Sequence, residues 1–238
     1  MKGVAGNKGA IAIRLEYGTT SVCFVTSHLA AGHESVNQRN MDYYTIENGL
    51  RFTRHLSIKD HDLVFWASDS NYRISLPNEE VRKLISEKRW DILYENDQLN
   101  LAMIAGETFR YYNEGTNNFP PTYKFDNGTD LYDTSEKQRI PAWTDRILFR
   151  GQGLKLLDYN SANLKMSDHR PVYATFKVQC RIVEDSKREK LAREIYDKRK
   201  NMIGEVLAGD VEKYTDPKGK RLTSRLLNIN DSPSPLIR

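Results

Sequence analysis

Hydrophobic and polar positions alternate along this chain in ways that predict most of its elements. Residues 10–15 and 21–29 are rich in β-branched and aromatic side chains and flank a turn at Gly18, which predicts a hairpin. Residues 35–52 are polar, with Met41, Tyr44 and Leu50 at helical spacing, and predict a helix. Residues 63–67, Leu-Val-Phe-Trp-Ala, are apolar on both faces and read as a central strand. Residues 75–80 look like a helix start, with Ser75 as cap, Pro77 early and Glu79 and Glu80 at the positive end of the dipole. Val81, Leu84 and Ile85 give that helix its apolar stripe. Residues 106–145 carry Gly, Pro, Asn, Asp and Thr without periodicity, a long loop of the kind that usually carries function. Residues 146–149 and 171–178 are two further strands.

The character of the sequence changes after Cys180. Thirteen of the twenty residues in 181–200 are charged, with Glu189–Arg193 and Glu194–Lys198 at i,i+4 spacing. Leu191, Ile195, Met202 and Val206 form one narrow apolar seam, so residues 181–208 are expected to be an amphipathic helix leaning on its own domain or meeting a protein partner. Residues 209–238 are polar, end in Ser-Pro repeats, and are expected to be a flexible tail. Residues 1–180 thus form the single folded body.

Composition narrows the function classes. The body holds 22 Lys+Arg and 22 Asp+Glu, so the net charge of +4 comes entirely from 181–238, with 14 against 10. A neutral body gives no electrostatic footprint for nucleic acid, and any anionic substrate needs a local cluster of cations. The five-residue apolar run at 63–67 is far short of the ~18 residues of a membrane span. The first twenty residues lack a signal-like apolar stretch, and Cys23 and Cys180 make no disulfide framework. A cytoplasmic setting is expected.

Candidate chemistry lies where the strands stop. His28 closes one strand, and Asp69 and Asn71 follow the strand from Leu63. Asp145 precedes the strand from Arg146, and Asp168 and His169 precede the last. Two clusters sit at C-terminal ends and two at N-terminal ends. They meet on one edge only in a mixed sheet or two-sheet sandwich, not in a doubly wound parallel fold. Imidazoles, carboxylates and a carboxamide, with no Ser-His or Cys-His pairing, suit metal-assisted attack of water on a phosphate ester. Taken singly, each has an ordinary explanation: a satisfied histidine, a turn-forming Asp, an Asp145–Arg146 surface pair.

The segments GNKGAIAIRL (6–15), SHLAAG (27–32), RNMDY (39–43), DSNYRI (69–74), residues 119–148 and SDHRPVYATF (167–176) together resemble the inositol polyphosphate 5-phosphatase family, its synaptojanin-like members above all. The resemblance implies an α/β (α+β) fold, a two-sheet β-sandwich flanked by helices, of the endonuclease/exonuclease/phosphatase superfamily. It implies Mg2+-dependent removal of the 5-phosphate of phosphatidylinositol 4,5-bisphosphate by a protein peripheral at membranes. Asp69 matches the residue that activates water, Asn71 one that positions water and phosphate, and His169 and His28 the phosphate-contacting histidines. Asp145 matches the carboxylate that orients His169, and Asp168 a carboxylate near the metal. Tyr123, Lys124 and Lys137, with Arg139 beside them, match the group that grips the 4-phosphate, and Met1 to Gly9 and the Arg39–Tyr44 region match surfaces near the lipid. Ser68 and Ser70 stand where the family has Gly and a bulky residue. The family domain is longer at its N-terminus, so the resemblance also implies a fold lacking its N-terminal strands and the Glu that usually holds magnesium. Two other functions fit the same residues, a non-hydrolytic phosphoinositide-binding module and a nuclease of the superfamily.

Overall fold

The computed structural model describes residues 6–211. Residues 6–182 form one compact unit and the chain beyond Ile182 another. The first contains strands β1 (Gly9–Tyr17), β2 (Thr20–His28) and β3 (Leu63–Asp69), with helix α1 (Val36–Gly49) between β2 and β3. Helices α2 (Asn78–Ser86), α3 (Trp90–Glu95) and α4 (Gln98–Ile104) follow, then β4 (Asn113–Glu114), β5 (Asp145–Arg150), β6 (Leu154–Ser161) and β7 (Val172–Val178). Five strands make a mixed sheet in the order β1-β2-β3-β5-β4, and β6 and β7 make a second, antiparallel sheet. β1 and β2 pair antiparallel through a two-residue loop with Gly18 at φ 61, β2 and β3 pair parallel, and β3 and β5 pair antiparallel. This is the two-sheet, helix-flanked architecture expected.

Alternation along β3 explains why both of its faces are apolar. Val64 and Trp66 pack with Cys23, Val25 and Leu148 against Tyr43 of α1, Tyr72 and Phe109. Leu63 and Phe65 point the other way and pack with Val22, Phe149 and Phe176 of the second sheet. The Phe176 ring lies 4.9 Å from Phe65 and 4.9 Å from Phe149, which locks the sheets together. The second sheet covers only part of that face: Ile11, Ile13, Leu15, Tyr17 and Phe24 lie on the same side and are exposed, Ile11 and Ile13 at 67% each.

Three expectations need correction. Helix α1 forms, but Met41 and Tyr44 are exposed, and the buried face is Arg39, Asn40, Tyr43 and Glu47. Polar groups occupy that face because they find partners there: Asn40 accepts from the Tyr72 hydroxyl at 2.6 Å, and Glu47 accepts from Tyr112 and Arg150 at 3.2 Å each. Arg39 is fully buried, donating to the carbonyls of Ala30, Gly32 and His33 and to Gln98, so it clamps a loop, while Met41 and Tyr44 are the exposed members of its segment. Pro77, not Ser75, occupies the position before α2, and no side chain caps that helix.

In the second unit, α5 (Asp185–Val211) is one continuous helix, starting later than expected and including residues 209–211 of the anticipated tail. Leu191, Ile195 and Met202 on it are exposed. Residues 212–238 of that tail, and Met1 to Ala5, lie outside the described residues. Among the described residues, no helix is long and apolar enough to cross a membrane.

Candidate active site

Strand register builds the site. His28 at the end of β2 pairs with Asp69 at the end of β3, and Asp69 pairs with Asp145 at the start of β5. Because β5 runs against β3, the two C-terminal ends and the N-terminal end meet in one row. His169, three residues before β7 in the second sheet, completes the group: its Nδ1 lies 2.7 Å from Asp145 Oδ2. The Thr144 hydroxyl donates to the same carboxylate oxygen at 2.9 Å. His28 Nε2 is 3.2 Å from Asp69 Oδ2 and 2.6 Å from Lys8 Nζ.

The chain turns sharply after Asp69. Asn71 is held at φ 56, in the left-handed region that Asn tolerates better than most residues. Its amide donates to Asp69 Oδ1 at 3.1 Å, which fixes one carboxylate oxygen and leaves Oδ2 toward His28. Its side-chain amide donates to the Leu29 carbonyl at 3.1 Å. Ser70 is fully buried, with both its amide and its hydroxyl on the Thr144 carbonyl. Ser68 pairs in regular register with Arg146, so a side chain at that position is accommodated in ordinary extended backbone.

The loop at 119–142 is stitched to this row by its backbone. Tyr123 and Ala142 exchange hydrogen bonds, Arg170 donates its amide to Thr122, and Phe125 donates to the Asp168 carbonyl. The Tyr123 ring therefore sits 4.6 Å from the His169 ring, and Lys124 Nζ lies 3.9 Å from Asp168. Lys137 and Arg139 are exposed on the following turn. Buried Asp133 organises that turn by accepting from the amides of Ser135 and Arg139. Burial alone would raise the Asp133 pKa, but those two amides hold it below the ordinary carboxylate value.

Charge in the row is unbalanced in an informative way. Burial, and then the neighbouring Asp145 carboxylate, push Asp69 above its ordinary value, against the pull of His169 and His28. Burial would lower His169, but the hydrogen bond and charge of Asp145, with Asp69 and Asp168 behind it, raise it instead. Asp69, Asp145 and His169 each offer one ligand atom within 4.8 Å of the others. Two hard carboxylates this close, their repulsion offset only in part by His28 and His169, fit a divalent cation. Asp168 stands outside that group, turned toward Lys124.

Lys8, Arg73 and Thr144 complete the surroundings and were not singled out from the sequence. All three lie inside the matching segments, but nothing in their local spacing marks them. Arg146 likewise is no surface residue: it is fully buried, bidentate to Glu114 and bound to Asp97 at 2.8 Å.

A family model described as Endonuclease/Exonuclease/phosphatase family 2 matches residues 1–175. Phosphatidylinositol 4,5-bisphosphate 5-phosphatase INP51 of Saccharomyces cerevisiae is 53% identical over 197 residues, covering 82% of this chain and 21% of that protein. The chain thus spans about a fifth of that relative's length. The crystal structure of the inositol polyphosphate 5-phosphatase domain of SPsynaptojanin, in complex with inositol (1,4)-bisphosphate and calcium ion, superposes with a TM-score of 0.79. It is 51% identical, covering 84% of this chain and 60% of that one. Cimex nitrophorin, solved as a ferrous NO complex, is 31% identical with a TM-score of 0.59 over 73% of this chain and 60% of that one. One fold thus serves different chemistries, and function is set by the site it carries. The resemblance to synaptojanin-like 5-phosphatases is borne out, and the chain belongs to endonuclease/exonuclease/phosphatase family 2.

Proposed function

We propose that this chain carries the water-activating and substrate-gripping part of a phosphoinositide 5-phosphatase, hydrolysing the 5-phosphate of phosphatidylinositol 4,5-bisphosphate at a membrane surface. The observation that carries this reading is the single row His28–Asp69–Asp145–His169, formed from two sheets and tied by backbone to the loop that bears Tyr123 and Lys124. The relatives bearing this name or this ligand support the substrate class.

In this reading Asp69 takes a proton from water as the water attacks phosphorus, and the Asn71 amide holds the carboxylate in place. His169, kept protonated above its ordinary pKa by Asp145, donates to a phosphoryl oxygen where negative charge builds up. His28 offers a second contact to the same phosphate. The bond between phosphorus and the ring O5 breaks, O5 takes up a proton from solvent to become the 5-hydroxyl, and inorganic phosphate leaves. Lys124 and Lys137 supply point cations for the 4-phosphate, with Tyr123 and Arg139 beside them. Mg2+, held by Asp69 and Asp145, would neutralise charge on the phosphoryl oxygens and lower the pKa of water.

The test is phosphate release from short-chain lipid with Mg2+ and with chelator, on the parent and on Asp69→Asn. Release by the parent that needs the divalent ion and falls ~100-fold or more in Asp69→Asn is the expected result. Lipid binding without release would instead establish a binding module. Cleavage of DNA dependent on Asp69, with no phosphate released from lipid, would make it a nuclease.

A further inference from the structure

Arg73 is buried, 8% exposed, and its guanidinium faces two parts of the site at once. Nε donates to the Asn71 carbonyl at 3.1 Å and Nη2 to Asn71 Oδ1 at 2.6 Å, so both oxygens of Asn71 are chelated by one rigid fork. The guanidinium carbon also lies 4.7 Å from the centre of the Tyr123 ring. Tyr123 in turn lies 4.6 Å from His169. The backbone of Arg73 is held independently of its side chain: its amide donates to Gln98 Oε1 at 3.0 Å, and its carbonyl accepts from the Gln98 amide at 2.8 Å.

From this geometry we propose that Arg73 is a positioning residue that couples the water-activating turn at 69–71 to the ring-gripping segment at 122–125. This rests on the phosphatase reading above and extends it to specificity. The fork holds Asn71 in its left-handed conformation and so keeps the Asn71 amide on Asp69. The planar cation beneath Tyr123 sets where that ring, and the Lys124 next to it, stand relative to His169. A lysine has one compact charge, so it cannot chelate two oxygens and stack on an aromatic ring together. Arg73 reaches His169 by two routes, through the Tyr123 ring and through Asn71, Asp69 and Asp145, so the Tyr123 ring itself is the place where a disturbance of the gripping segment is read.

The experiment compares the parent with Arg73→Lys and Arg73→Met in two ways. The first is kcat and KM on short-chain phosphatidylinositol 4,5-bisphosphate and on the 5-monophosphate. The second is NMR of the Asn71 amide and of the Tyr123 and His169 rings. The expected result is a kcat loss of ~10–100-fold, the scale of a misplaced catalytic group. The preference for the bisphosphate falls together with it, Asn71 and His169 signals both shift, and Lys fails to rescue. Unchanged discrimination with parental His169 signals, or full rescue by Lys, would overturn the proposal and leave Arg73 a packing residue. If the parent releases no phosphate, the phosphatase reading fails, and NMR decides alone: joint shifts at the Asn71 amide and the Tyr123 ring support coupling, and a shift that leaves the Tyr123 ring at its parental position overturns it.

Discussion

At the scale of residues, the site is made of side chains whose charges disagree until something joins them. Asp69 is raised by burial and by Asp145, while Asp145 is engaged by His169. His169 is raised in the fold above 6.5, so its pairing stabilises fully below about that pH and is lost as pH rises through the raised value. Asp145→Asn is therefore expected to lower the His169 titration midpoint seen by NMR. The stability difference should also move against the parent as pH rises through that window, checked by urea midpoints at several pH values. An unchanged midpoint would mean that Asp145 does not set the histidine's charge. The buried Arg146 cluster makes a different demand. Glu114→Gln leaves Arg146 without one of its two buried carboxylates, and removing a partner from such a network costs ~3–5 kcal/mol. Chemical denaturation checks this, and a loss under 1 kcal/mol on the scale of exposed pairs would contradict the burial.

Among the elements, strand pairing does the assembling. The strands β1, β2, β3, β5 and β7 were legible in the sequence because their apolar and β-branched runs are bounded by turn residues. Even the need for antiparallel pairing followed from which strand ends carried polar groups. Other elements were not legible. Helix α4 is short and is capped by Asp97, whose side chain accepts from the Asn100 amide; that cap was a readable signal, but the helix has only seven residues. β4 has two residues and exists through its pairing with β5. The buried face of α1 was misread because its polar groups find partners far along the chain, Arg39 at Gln98 and Glu47 at Arg150, which no local pattern reveals. The site residues were legible as types and positions, and the resemblance supplied their roles. The stack of Arg73 on Tyr123 was not legible, because it depends on where the loop comes to rest. The turn between β1 and β2 was legible and is testable. A Cβ on Gly18, at φ 61, would lie 2.3 Å from the Arg181 carbonyl, so Gly18→Ala is expected to cost at least about 1–2 kcal/mol in urea unfolding. A neutral result would show that the turn relaxes freely.

Across the whole molecule, the folded unit buries a two-sided core yet leaves one sheet face partly bare. Ile11, Ile13, Leu15, Tyr17 and Phe24 are exposed together beside β1, a strand at the edge of its sheet. Contiguous apolar surface on an open edge favours association. Ile11→Lys combined with Ile13→Lys is expected to shift the protein toward a smaller species in light scattering at high concentration, with the helical and strand signals retained. No change in size would mean that this face does not drive association. The bare face runs up to the site: Ile11 pairs with Thr26, two residues before His28, and lines one pocket with Lys8 and His28. The body is neutral, with 22 Lys+Arg against 22 Asp+Glu, so the cations proposed to grip the 4-phosphate, Lys124 and Lys137, act locally.

On the proposed function, this row of residues, joined to this loop, removes one particular phosphate. Resolving the monophosphate product left from phosphatidylinositol 4,5-bisphosphate tests it most directly. The expected product is the 4-monophosphate, formed with an equal amount of inorganic phosphate in the presence of Mg2+ and absent with Asp69→Asn. Recovery of the 5-monophosphate, or of intact lipid bound to the protein, would contradict it.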